Sequence, residues 1–124
     1  MTTQSTFATR GMMVAPHALA AQSGLAILRE GGNALEAMIA AAATIAVVYP
    51  HMNSIGGDSF WVIHRPSHAM GGIDACGASA GLASRDWYAQ RGMTQAIPFR
   101  GPVAANTVAG TISGWGAAHQ LSRQ

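Results

Sequence analysis

The segment Ala34–Tyr49 constrains this chain more than any other, because Glu36 is the only charge in its sixteen residues and nearly all the rest are apolar. Its limits are written in side-chain chemistry. Asn33 suits an N-cap, and Glu36, three residues on, can reach back to the cap's own N–H. Pro50 disfavours the α conformation at Tyr49 and so ends the helix there. A helix that is apolar on every side is a membrane span or the centre of a core. Sixteen residues fall short of the ~20 a bilayer needs, and alanine adds little hydrophobicity, so the expectation is a buried core helix.

A helix wrapped on every side needs layers on every side. The rest of the chain supplies one covering helix and a few short strands, so the missing layers belong to another chain or to a longer protein. The composition agrees. Charged residues are 10% against 49% hydrophobic, where an ordinary soluble domain carries ~25% charge. The net charge of +2 comes from scattered arginines, with no basic run or basic-aromatic interleaving, which argues against nucleic acid as a partner. A single cysteine, Cys76, excludes an intramolecular disulfide and a multi-cysteine metal site. The polar N-terminus has no apolar signal region. A cytoplasmic protein with no membrane partner is expected.

Around the long helix, residues 1–10 read as a loose leader and 11–124 as one structural portion ending within a helix. Gly11–Ala15 is a strand candidate. A helix then runs from Pro16 to the Gly31-Gly32 break, with Ala20, Ala21, Gly24, Ile27 and Leu28 on one face and Gln22, Ser23, Arg29 and Glu30 opposite. After a glycine-containing loop, 51–59, Phe60–His64 and Ala69–Cys76 form a hairpin around the turn Arg65–His68. Helix is expected over Leu82–Arg91, irregular chain over Met93–Asn106, and a last helix over Trp115–Leu121. The class is α+β.

Three patterns invite chemistry. Gly77-Ala78-Ser79-Ala80-Gly81 fits G-x-S-x-G, and Asp86 and His119 follow in the right order for a serine triad. Against it, short degenerate patterns match by accident, and the nucleophile elbow needs a helix directly after the serine. Ser54–Asp58 lacks the spacing and lysine of a phosphate loop; its paired glycines read instead as close backbone approach or positive φ. Of the five histidines His64 and His68 come closest to a ligand spacing, but across a turn rather than along a helix, so neither metal nor cofactor is expected.

The order of several motifs resembles the γ-glutamyltranspeptidase family: Gly11-Met12-Met13-Val14-Ala15, then Ala21–Ala34 with its Ile-Leu-Arg-Glu-Gly-Gly-Asn-Ala ending, then Pro50-His51 and Ile55-Gly56-Gly57 before Phe60. Val108–Trp115 is similar to the family's V-P-G-T-V-A-G segment, with Ala109 in the proline's place. The resemblance implies a fragment of an αββα N-terminal-nucleophile hydrolase, made as a proenzyme that cuts itself before a threonine. That threonine attacks the substrate amide, its own α-amine serving as base. It lies downstream, so this chain carries no catalytic residue of its own and is expected to be inactive alone. Its partners are the remainder of the large subunit, the small subunit and a small-molecule amide. Members include γ-glutamyl transferases and hydrolases, acylases and an oxamate hydrolase.

One departure bears on substrate. Where γ-glutamyl members read D-x-R-E-x-A-P, this chain reads Asp74-Ala75-Cys76-Gly77-Ala78-Ser79-Ala80. The family arginine grips the substrate α-carboxylate with its bidentate fork. Cys76 stands in its place without a cation, which favours a sibling amidohydrolase or acylase. The other readings are a serine esterase using Ser79 and a non-catalytic binding fragment.

Overall fold

The computed structural model describes residues 5–104 and 107–124, which fall into two compact units. One comprises the chain up to Ser54 together with Trp115–Gln124, the other Ile55–Gly114.

The first unit is built on two helices. α1 (Ala18–Arg29) starts at His17, whose Nδ1 accepts from Leu19 N–H at 3.2 Å. It ends in a Schellman motif: Gly32 N–H donates to Ile27 O at 2.9 Å and Gly31 N–H to Leu28 O at 3.3 Å, with Gly31 at φ +94°. α2 (Ala34–Val48) opens with the expected capping box. Asn33 accepts from Leu35 and Glu36 N–H, and Glu36 Oε2 accepts from Asn33 N–H at 2.9 Å.

The two helices meet through small residues. Ala20, Gly24, Ala37 and Ala41 are buried, and a Cβ on Gly24 would lie 2.8 Å from the Ala37 carbonyl. Ser23 is not on the solvent face expected for it. Its hydroxyl donates to the Ala40 carbonyl at 3.2 Å, and Thr44 Oγ1 lies 2.9 Å from Ser23 Oγ. The two hydroxyls fit here because the alanines on either side leave them room.

α2 lacks the covering layers that its sequence assigns to another chain or a longer protein: only Ala37 and Ala41 are buried, while Met38 is 43% and Val47 76% exposed. Within the unit, α1 covers only one of its faces. The strand expected at Gly11–Ala15 does not form. Among the described residues it has no ladder partner, and Met13 packs over Gly24 instead. Residues 5–10 form neither helix nor strand and are exposed; the leader expected at residues 1–4 lies outside the described residues.

In the second unit β1 (Ser59–Ile63) pairs antiparallel with β2 (Gly71–Ala75), in the register Ser59 to Ala75 and Ile63 to Gly71. Ile63 and Ala75 are buried, whereas Phe60 and Val62 point outward at 69% and 82% exposure. The connecting turn closes through His68 N–H to Arg65 O at 3.1 Å, with Ser67 at φ +64°. α3 (Arg85–Ala89) is shorter than expected. Ser84 caps it, Tyr88 is buried beneath it, and the Arg91 guanidinium lies over the Trp87 ring at 3.6 Å. Residues 93–104 are irregular as expected; Asn106, the end of that segment, lies outside the described residues.

α4 (Thr111–Ser122) begins four residues before the expected start and runs from the second unit into the first. Gly114, within the helix rather than ahead of it, sits where a Cβ would come 2.5 Å from Ser59 Oγ and 2.7 Å from Ala75 Cβ. Close packing there outweighs the poor helix propensity of glycine.

Candidate functional site

The residues after β2 gather around a single carbonyl. Gly57 O accepts from Gly110 N–H at 3.0 Å, from Thr111 N–H at 2.9 Å and from Thr111 Oγ1 at 2.7 Å. Thr111 is only 4% exposed, and its hydroxyl also lies 3.2 Å from Asp58 O. The start of α4 therefore holds the Gly57-Asp58 peptide firmly. From there the Asp58 carboxylate reaches the other side of the corner, where Oδ1 accepts from Gly77 N–H at 3.1 Å. Asp74 Oδ1 accepts from Cys76 N–H at 3.0 Å. Beyond them Val108 N–H donates to Ala78 O at 2.9 Å, and Ser79 pairs with Thr107 in an isolated bridge.

Two glycines make this possible. A Cβ on Gly77 would collide with the Val108 carbonyl, and one on Gly110 with the Ala75 carbonyl. Close backbone approach or positive φ is the expectation at Gly56-Gly57, but a Cβ on Gly57 would meet nothing, and Gly57 is not among the glycines at positive φ. What matters at Gly57 is its carbonyl.

Cys76 is exposed and free. Its thiol is pushed up to about 11, first by its hydrogen bond to Asp74, then by lost solvation and by the charges of Asp74 and Asp58. The same pairing, with the Cys76 backbone bond, lowers Asp74. At neutral pH the corner thus presents a neutral thiol between two carboxylates. It offers neither a thiolate nucleophile nor a cation. Among the described residues neither carboxylate is paired with a cation. Arg85 is exposed at the start of α3, and Arg100 is exposed with its guanidinium 5.7 Å from the Phe99 ring.

Ser79 lacks the setting of a nucleophile elbow. It is exposed, and the next helix starts only at Arg85, whereas the elbow turns directly into a helix. Asp86 lies on that short helix and His119 in the other unit. Among the described residues no three of His, Cys, Asp and Glu are grouped to hold a metal, and no helix is long and apolar enough to cross a membrane. A groove of about 640 Å³ lies along α3, lined by Arg85, Asp86, Tyr88, Met93 and Ile97 among others; it does not include Cys76 or Asp58.

Asp58 and Thr111 do not stand out in the sequence. The nearest signal is an acidic residue closing a Gly-Gly pair, together with a Gly-Thr ahead of a helix. Neither pattern says that the two meet fifty-odd residues apart.

The family model described as gamma-glutamyltranspeptidase matches residues 20–121. The oxamate amidohydrolase proenzyme of Klebsiella pneumoniae is 60% identical over 119 residues, 96% of this chain and 22% of that protein. The glutathione hydrolase-like YwrD proenzyme of Bacillus subtilis is 44% identical over 92% of this chain and 21% of its own length. The chain therefore spans about a fifth of the length of these relatives. Among solved structures, the γ-glutamyltranspeptidase of Helicobacter pylori superposes with a TM-score of 0.81 at 29% identity, covering 95% of this chain and 34% of that one.

Proposed function

Because the chain belongs to the γ-glutamyltranspeptidase family, we propose that it is the beginning of the large subunit of a self-processing amide hydrolase whose substrate is a small amide of the oxamate kind. Its mixed helices and hairpin are then part of the N-terminal-nucleophile hydrolase fold. The nucleophilic threonine, the oxyanion donors and the small subunit come from chain downstream of this segment. The segment itself contributes binding surface, and it is inactive alone.

One observation carries the choice of substrate class. Cys76, which the family resemblance sets against the arginine of γ-glutamyl members, is an un-ionised thiol flanked by Asp74 and Asp58. A free α-carboxylate brought to that corner meets negative charge instead of a guanidinium fork. The 60% identity to an oxamate amidohydrolase, against 44% to a glutathione hydrolase-like protein, supports the same choice. In this reading the carboxylate of oxamate is held elsewhere in the completed site.

The test is to express the segment within its full-length proenzyme and follow self-cleavage on a denaturing gel. Ammonia release from oxamate is then compared with hydrolysis of glutathione. Two chains after maturation and a kcat/KM favouring oxamate are expected. An uncleaved polypeptide, or glutathione turned over more efficiently than oxamate, overturns the reading.

A further inference from the structure

A single side chain spans the corner. Asp58 reaches nineteen residues along the chain to the Gly77 amide, and it can do so because its own backbone is immobilised. The Gly57 carbonyl takes three hydrogen bonds from Gly110 and Thr111, and the Asp58 carbonyl lies within reach of the Thr111 hydroxyl. A short side chain on a fixed backbone has few torsions left to adjust, so Oδ1 sits at one place and Gly77 is tied to it. Gly77 cannot move toward the 107–109 segment, because the Val108 carbonyl already fills the space a Cβ would need. The loop bearing Cys76 is pinned from both sides.

We propose that Asp58, seated by Thr111, is a positioning and specificity-determining residue: its Oδ1 fixes the Cys76-Gly77 turn, and its charge disfavours an anionic substrate group beside Cys76. The specificity half rests on the reading above that this loop faces substrate; the positioning half does not. The rise of the Cys76 thiol, to which the Asp58 charge contributes, is in keeping with that charge acting on this spot.

Three measurements separate the halves. The first is amide exchange at Gly77 by NMR. Asp58→Ala removes the acceptor and should speed exchange roughly tenfold or more, since a hydrogen bond to a charged group is worth ~1.5–3 kcal/mol. Asp58→Asn keeps an acceptor and should stay near the parent. Thr111→Val should loosen Gly77 as well, and Thr111→Ser should restore it. The second is the pH midpoint of Cys76 alkylation, which should fall in Asp58→Asn.

The third is the full-length enzyme's kcat/KM for γ-glutamyl p-nitroanilide relative to 4-aminobutyryl p-nitroanilide, which differs only in lacking the α-carboxylate. Removing one exposed like charge is worth ~0.2–1 kcal/mol, so Asp58→Asn should raise this ratio by roughly 1.4- to fivefold, through KM. Unchanged Gly77 exchange in Asp58→Ala overturns the positioning role. An unmoved ratio in a folded Asp58→Asn enzyme overturns the specificity role. An enzyme that hydrolyses neither oxamate nor either anilide refutes the substrate reading instead, while Gly77 exchange and Cys76 titration still decide the positioning role.

Discussion

Asn33 serves two helix ends at once: its Oδ1 caps the start of α2, while its Nδ2 donates to the Ser122 carbonyl at the end of α4, 3.1 Å away. The last turn of a helix leaves carbonyls without partners, and this is one of them satisfied from another element. Asn33→Ala should therefore lose both a cap and a tie, about 1–2 kcal/mol in chemical or thermal unfolding. Asn33→Asp keeps the cap and suits the helix N-terminus, but it has no N–H for Ser122. It should fall between the two. Equal stability of all three proteins would show that neither bond matters.

The outward faces of α2 and β1 lead to a second expectation. Val47, Phe60 and Val62 are 76%, 69% and 82% exposed, and exposed apolar surface on this scale promotes association. The 124-residue chain should self-associate in the micromolar range. Substituting Val47→Gln and Phe60→Thr should shift it toward monomer in light scattering. A chain that stays monomeric at millimolar concentration contradicts the idea.

Much of this fold is legible from local chemistry. The Asn33–Glu36 box, the Gly31-Gly32 stop and the Arg65–His68 turn are set by neighbours within a few residues, so the sequence displays them. What escapes it depends on distant partners. Gly110 and Gly114 stand ahead of the helix start expected at Trp115, yet the space against Ala75 and Ser59 selects glycine and lets α4 begin at Thr111. Gly11–Ala15 has strand composition, but a strand needs a neighbour, and Met13 finds Gly24. At the candidate site Cys76 is visible because the family resemblance sets it against that family's arginine. Asp58 and Thr111 act through bonds spanning 19 to 54 residues and leave no such trace.

Cys76 is the only cysteine in the chain, so thiol titration reads this corner alone. Alkylation should follow a midpoint near pH 11, where the thiol is held by Asp74 and Asp58. Asp74→Asn should lower that midpoint more than Asp58→Asn, because the hydrogen bond to Asp74 is the largest cause. The linkage has a definite sign. Above the ordinary thiol pKa of 9.0 the unfolded chain releases its proton while the folded chain keeps it until about 11, so stability declines across that interval. Asp74 works in the opposite range: its lowered pKa adds stability above the ordinary carboxylate value, lost as pH falls through the lowered one. A midpoint in the ordinary thiol range, unmoved by Asp74→Asn, would remove the carboxylates from the account.

The last prediction concerns rebuilding γ-glutamyl recognition in the full-length enzyme. If Cys76 occupies the place of the family's arginine, the missing charge-assisted pair is worth ~2–5 kcal/mol, or roughly 30- to 3,000-fold in kcat/KM for a γ-glutamyl substrate. Cys76→Arg supplies the guanidinium, but it arrives between Asp74 and Asp58, and both acidic groups compete with the substrate for it. The single substitution should therefore recover only a small part of the deficit, less than about tenfold. Cys76→Arg combined with Asp58→Asn should recover more, because the asparagine still accepts from Gly77 while releasing one claim on the arginine. Copying the family's glutamate into the next position should not help, since any Cβ on Gly77 runs into the Val108 carbonyl and displaces the loop. Steady-state kinetics on γ-glutamyl p-nitroanilide for the three variants decide the matter. Full recovery by Cys76→Arg alone would mean that the carboxylates do not mask the new charge. No gain in the double variant would mean that position 76 does not meet the substrate carboxylate at all.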